Sequence, residues 1–328
     1  MTSSREATTA AVVVTHSRTV GRVLLQGGTV VALVLLLAFF FAMRPDTFLS
    51  FVNVRNILSQ VSILAIIAAA QTIVMVVGDF DLSVGATSSL AGSVSATLML
   101  GHSPIPVAIA AGLAVGLLVG LVNGVLIAYL NLSAFVATLA TMTSVIGLAY
   151  LVTAGTTLFG MPAAFNALGQ GRFLNIPLPV YSAIVIALVI WCALRFTTVG
   201  RRWHAIGGNV EVARLSGVNV RFARLLAFTM AGLVSAIGGI LLAARLGSAS
   251  AEQGGNNMMF SVAAVFLGMT VLRSGAANLG GTMIGVAIIG VMSNGLNILG
   301  VNAYVQQVVT GLIIIAAVTL SSLKTRER

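Results

Sequence analysis

Ten apolar runs succeed one another along the chain, at about 23–43, 56–77, 83–100, 105–128, 133–153, 179–196, 225–244, 258–273, 280–299 and 303–320. Each approaches the roughly 20 residues that an α-helix needs to cross a bilayer core. The breaks between them are short and rest on Gly, Pro, Asn or Asp. Hydrophobic residues make up 58% of the chain and charged ones 7%, against about 25% charged in a soluble domain. The pattern predicts an all-α integral membrane protein of about ten transmembrane helices. A tail at 1–22, a membrane domain at 23–320 and a second tail at 321–328 follow from the same runs.

The net charge of +10 would suit a nucleic-acid binder, but its distribution does not. Arg5, Arg18 and Arg22 precede the first run. Arg195, Arg201, Arg202, Arg214, Arg221 and Arg224 fall together around the loop at 197–224. Lys324, Arg326 and Arg328 end the chain. Basic residues gathered at the ends of spans mark the cytoplasmic side. Six runs separate the tail from the loop and four separate the loop from the C-terminus, so even parity places all three clusters, and both termini, on that side. The single cysteine, Cys192, lies in an apolar run and is expected to be a small buried residue. His16, His102 and His204 are scattered, which excludes a histidine-based metal cluster. No phosphate-binding loop of the Gly-x-x-x-x-Gly-Lys-Ser/Thr type and no His-Glu-x-x-His pair occurs.

Glycines are ordered. Gly112, Gly116, Gly120 and Gly124 recur every fourth residue, and Gly281 and Gly285 repeat the spacing later. On a helix this makes a smooth stripe for close helix packing. "LVNGVLIAYLNLSAF" (121–135) is similar to "MSNGLNILGVNAYVQ" (292–306), with Asn123-Gly124 matching Asn294-Gly295 and Asn131 matching Asn302. In the ten-span topology the two copies run in opposite directions, the inverted repeat of many transporters.

Asp79 and Asp81, in "VVGDFDLSVGA", are the only Asp, Glu, Lys or Arg residues between Arg55 and Arg172. A carboxylate at the bilayer centre costs about 2.5–3.5 kcal/mol, so such residues face a bundle interior or a cavity. Asp81 with Ser83 suits a helix N-terminus, where a carboxylate accepts backbone N–H groups. Asp79 is not needed as a cap and is the better candidate for a path or cytoplasmic gate, with Phe80 as an apolar gate element beside Phe135 and Met142. Neutral hydrogen-bonding candidates for a path are Asn123, Asn131, Thr138, Thr141, Asn294, Asn297, Gln306 and Gln307. Each is equally able to make an interhelical hydrogen bond.

The loop at 197–224 is the longest polar stretch between runs. Asn209 is placed to cap a short helix, "VEVARLSG", with Glu211 in its first turn and Gly217 ending it in a left-handed conformation. A basic loop could simply meet anionic lipid heads. The Gly207-Gly208 turn and the capping residues suit a docking element for another protein.

"GRRWHAIGGNVEVARLSGVNV" closely resembles the cytoplasmic coupling segment of ribose-type sugar permeases, the membrane subunits of ATP-binding cassette (ABC) importers. "GDFDLSVGATSSLAG" and "VFLGMTVLRSGAANLGGTMIGVAIIGVMSNGLNILGV" resemble two further segments of that family, in the same order, from about residue 50 to residue 320. Asp79 and Phe80 replace the family's usual glycine and isoleucine; "DLSVG" (81–85) is retained. The resemblance implies a type II ABC importer-like fold in a bacterial inner membrane, and a dimer with a second permease subunit, expected to be a homodimer. It also implies a partner ATPase, often two fused domains, that binds ATP and Mg, and an extracytoplasmic sugar-binding protein. Glu211, Ala213, Arg214, Ser216 and Gly217 match its coupling-helix positions. No cofactor and no catalytic residue belong to this chain. The rival readings are an ion-coupled secondary transporter using Asp79 or Asp81, and an ABC permease for amino acids or nucleosides.

Overall fold

The computed structural model describes residues 30–270 and 275–326. The tail at 1–22, with Arg5, Arg18 and Arg22, the start of the first run and Arg328 lie outside them. The main helices are α1 (Val30–Met43), α2 (Pro45–Phe48), α3 (Phe51–Val76), α4 (Val84–Leu100), α5 (Ile105–Ala128) and α6 (Ala134–Thr153) in the first part of the chain. A short strand β1 (Leu158–Phe159), α7 (Ala163–Gln170), and the hairpin of β2 (Arg172–Phe173) and β3 (Ile176–Pro177) precede α8 (Leu178–Phe196). The polar loop forms α9 (Thr198–Gly208) and α10 (Val210–Leu215). α11 (Val220–Leu246), β4 (Ser248–Ala249), α12 (Gly255–Met269), α13 (Leu279–Ile298) and α14 (Ala303–Arg326) complete the chain.

Six helices, α3, α5, α6, α8, α11 and α13, are long and apolar enough to cross a membrane; α1, α4 and α12 are apolar but shorter. The expectation of about ten spans thus meets six full-length candidates among the described residues. α4, with 17 residues, is about 25 Å long at 1.5 Å per residue, less than the ~30 Å of a bilayer core. It is nevertheless buried on nearly every face. A short helix survives there because other helices, not lipid, surround its ends.

The 171-residue shift that relates Asn123 to Asn294 carries α3 onto α11, α4 onto α12, α5 onto α13 and α6 onto α14. The packing follows the same exchange. α4 lies against α5 and α6, as α12 lies against α13 and α14. α5 and α4 pack on α11, as α13 and α12 pack on α3, and α3 touches α11 at the centre. Each four-helix unit therefore completes its core with a helix of the other.

The glycine stripe explains the α5–α11 contact. A Cβ added at Gly116 would strike Gly232 and Ala236, one at Gly120 the Phe228 carbonyl, and one at Gly124 the Leu225 backbone. Gly281 and Gly285 meet Gly268 and Ala264 of α12 in the same manner. Cys192 is half-buried, not fully enclosed, because α8 turns much of its surface outward.

Candidate functional site

α3 ends at Val76, and Gly78 follows with φ +92°. That left-handed backbone suits glycine, and it turns the chain into the seven-residue break before α4. Asp81 is 1% exposed. Its Oδ1 accepts the Ser83 N–H at 2.7 Å and the Ser83 hydroxyl at 2.6 Å. The same hydroxyl accepts from Asn123 Nδ2 of α5 at 2.8 Å, and Thr138 of α6 accepts the Leu82 N–H at 3.1 Å. Asp81 therefore secures the entry to α4, two residues ahead of the Ser83 cap position, and ties it to α5 and α6. Two donors on one oxygen offset much of the cost of burying a carboxylate.

Asp79 has a different environment. Its Oδ2 lies 3.1 Å from Arg224 Nε, in the second turn of α11. That short contact is not aligned as a hydrogen bond; the aligned one, from Nη2 to Oδ1, is 3.5 Å long. The pair is thus held by charge more than by directed bonding. Arg224 also lines a cavity of about 430 Å³ between the end of α5, α10 and the start of α11, together with Asn131, Arg214 and Arg221. Phe80, partly exposed, stacks at 5.8 Å against Phe266 of α12.

The polar loop is clamped to this break. Trp203 of α9 is buried and donates its indole N–H to the Ala223 carbonyl of α11 at 2.8 Å. Four residues on, Gly207 lies against the end of α3: a Cβ there would collide with the Val76 carbonyl, while Gly208 has open space. Asn209 caps α10, its Oδ1 accepting the Glu211 and Val212 N–H groups, each at 3.0 Å. The α10 helix ends at Leu215, shorter than the quoted "VEVARLSG", and Gly217 closes it with φ +81°. Ala213 is buried inward. Glu211 and Arg214 form an exposed ion pair at 3.5 Å, beside exposed Ser216, Val212 at 59% and Leu215 at 80% exposure.

The residues singled out as path candidates do not converge. Asp79, Phe80, Asp81, Ser83 and Asn123 gather around the break, and Asn131 lies in the neighbouring cavity with φ +57°. Asn294 and Asn297 lie at the far end of α13. Asn294 exchanges amide hydrogen bonds with Asn53 of α3 at 2.9 and 3.0 Å, and Asn297 accepts from Gln306 at 2.8 Å. Asn123 and Asn294 are both buried, each bonding to a neighbouring segment.

Glu252 escaped the sequence reading. It lies just before α12, 171 residues after Asp81, so the repeat offset itself was the signal that would have found it. Its carboxylate lies beside Tyr150, near the end of α6, close enough to act on the phenol. β1 pairs with β4 next to it, tying the 154–162 loop to the α11–α12 break.

The chain matches, over residues 53–318, the family described as branched-chain amino acid transport system / permease component. It is 42% identical over 281 residues to the ribose import permease protein RbsC of Bacillus subtilis, covering 85% of this chain and 87% of that one. The RbsC of Haemophilus influenzae is 37% identical over 303 residues, 91% and 94% of the two chains. The L-arabinose transport system permease protein AraH of Escherichia coli is 35% identical over 287 residues, 88% of each. No solved structure matches. With most of its length matched, and with the polar loop packed through Gly207 against the end of α3, the chain belongs to this family of transport-system permease components.

Proposed function

We propose that the chain is the membrane subunit of an ABC importer that carries a sugar or sugar-like polyol across a bacterial inner membrane. The relatives named for ribose and arabinose support the substrate class. The observation that carries the mechanism is the α9–α10 segment. It turns Glu211, Val212, Arg214 and Leu215 outward while Gly207 and Trp203 fasten its other side to α3 and α11. An apolar and charged face outside the spans suits a groove in a partner ATPase. Displacing α10 would pull on the α3 end and on the α11 start, the two segments that Asp79 and Arg224 join. ATP and Mg belong to that partner, whose closure drives alternating access.

The fuller arrangement is part of the same reading. Ten spans put both termini and the 197–224 loop on the cytoplasmic side, where the basic residues lie. α3 and α11 are then five spans apart and run oppositely, which makes the repeat inverted. A homodimer, an ATPase with two fused domains and an extracytoplasmic binding protein complete the importer.

The test is co-purification and coupled transport. Arg214→Glu and Glu211→Arg should leave the permease in the membrane, abolish ATPase co-purification and remove sugar uptake. Wild-type uptake by both variants would refute the coupling role. Sugar uptake by the permease alone, in vesicles without any ATPase, would refute the importer reading.

A further inference from the structure

Two cavities unrelated to the acidic break meet on the side of the bundle where α8 turns into α9. One is an almost wholly apolar groove of about 450 Å³ between α3, α8 and α13, walled by Val61, Ala65, Ala187 and Met283 among others. Ser62, the one hydroxyl among its lining side chains, donates to the Leu58 carbonyl within its own helix. The other, about 510 Å³, lies at the polar end and is lined by Arg195, Arg201 and His204. Trp191, Leu279 and Gly280 line both, so the two adjoin.

We propose that these two adjoining cavities together bind one anionic phospholipid, an acyl chain lying in the groove and the phosphate at the arginines. The leaflet, though not the site, rests on the orientation proposed above, which makes it the cytoplasmic one.

The charge argument comes first. The ion pairs among the described residues are Arg224–Asp79 and Arg214–Glu211. Arg195 and Arg201 have no carboxylate partner there. Arg201 spends one N–H on the Phe196 carbonyl at 3.4 Å, which leaves most of its guanidinium donors free. His204 uses Nδ1 toward the Gly200 carbonyl at 2.8 Å, leaving Nε2 for a ligand. A guanidinium fork suits phosphate oxygens, and basic pockets between spans on the anionic leaflet attract phospholipid heads.

The apolar half decides the class of ligand. A soluble phosphate has no use for a groove that offers hydrocarbon walls. A second copy of this chain would fill the groove but brings little complementary charge, with seven acidic residues against 17 basic ones. Trp191, at the junction, has the amphipathic ring that favours the membrane interface. Only an amphiphile with an anionic head matches both ends.

The experiment uses the full-length permease, purified in mild detergent and exchanged against phosphatidylglycerol or phosphatidylcholine. Bound lipid is read by native mass spectrometry. The wild type should retain phosphatidylglycerol in preference to phosphatidylcholine. Arg195→Gln and Arg201→Gln should each weaken retention about fivefold, and Arg172→Gln, at the β2 hairpin, should not. Ala187→Trp, which fills the groove and leaves the arginines in place, should also remove the lipid. Equal retention of the two lipids, or unchanged retention in the arginine variants, would overturn the proposal. Displacement by millimolar inorganic phosphate, with Ala187→Trp still binding, would overturn it in favour of a soluble-anion site. Conversion of a dimer to a monomer by Ala187→Trp would overturn it in favour of an interface between copies. Arg195→Lys keeps a charge and a donor, so retention in it should fall less than in Arg195→Gln.

Discussion

Asp79 and Arg224 stand 145 positions apart in the chain and 3.1 Å apart in space, with the two side chains 12% and 25% exposed. Both are thus largely withdrawn from water, and a charge so withdrawn is costly unless it is paired. Asp79→Asn should lower thermal stability, as should Arg224→Gln. The double variant should be less destabilised than the sum of the two, by on the order of 1 kcal/mol in the cycle, measured by thermal unfolding in detergent. Strict additivity would mean that the two charges act separately. Among the described residues Asp81 has no such cationic partner, and its hydrogen bonds there come from Ser83. The sequence drew both carboxylates to notice because they stand alone in an apolar stretch. It could not assign Arg224 to one of them, since nothing local links a break after α3 to the second turn of α11.

At the scale of elements, α9 and α10 act as one bracket. Trp203 and Gly207 lie four residues apart, on one face of α9, and bind two different spans. Gly207 and Gly208 are adjacent and chemically identical, yet a methyl group has room only at Gly208. Gly207→Ala should overpack the α3 end, at a cost of about 1–3 kcal/mol, and reduce sugar uptake. Gly208→Ala should transport as the wild type does. Uptake assays on the pair check this, and equal uptake in both would show that the Gly207–Val76 approach carries no coupling. The capped α10 helix was legible beforehand, because Asn209, Glu211 and Gly217 stand at cap spacings. The dissimilar surroundings of the two glycines were not, because only the fold brings α3 beneath one of them.

For the whole molecule, the exchange of packing between the two four-helix units is the organising feature. Neither unit completes its own packing: α5 needs α11, and α13 needs α3. The break before α4 and the break before α12 then occupy equivalent places, one carrying Asp81 and the other Glu252. If the repeat is inverted, those breaks open to opposite sides of the membrane. In a Cys192→Ala background, cysteines at Gly208 and at Glu252 should react with a membrane-impermeant thiol reagent from opposite sides. Labelling of both from one side of sealed vesicles would refute the inversion.

The hydropathy runs and glycine spacing alone determined that the chain is helical and membrane-embedded, because burial in lipid requires every backbone group to bond within its own helix. They also marked α5 as a close-packing helix, since a four-residue stripe of glycines faces one way whatever it meets. Which surface it meets was decided only by the tertiary structure. So were the partner of Asp79, the pairing of Asn294 with Asn53, and the length of the spans. Short α4 persists because its neighbours enclose it, a property of packing that no window of sequence contains. The clusters of basic residues carried the expectation of a cytoplasmic side. Only the fold brought Arg195 and Arg201 to the mouth of an apolar groove, because that juxtaposition depends on how α8 leans on α3 and α13.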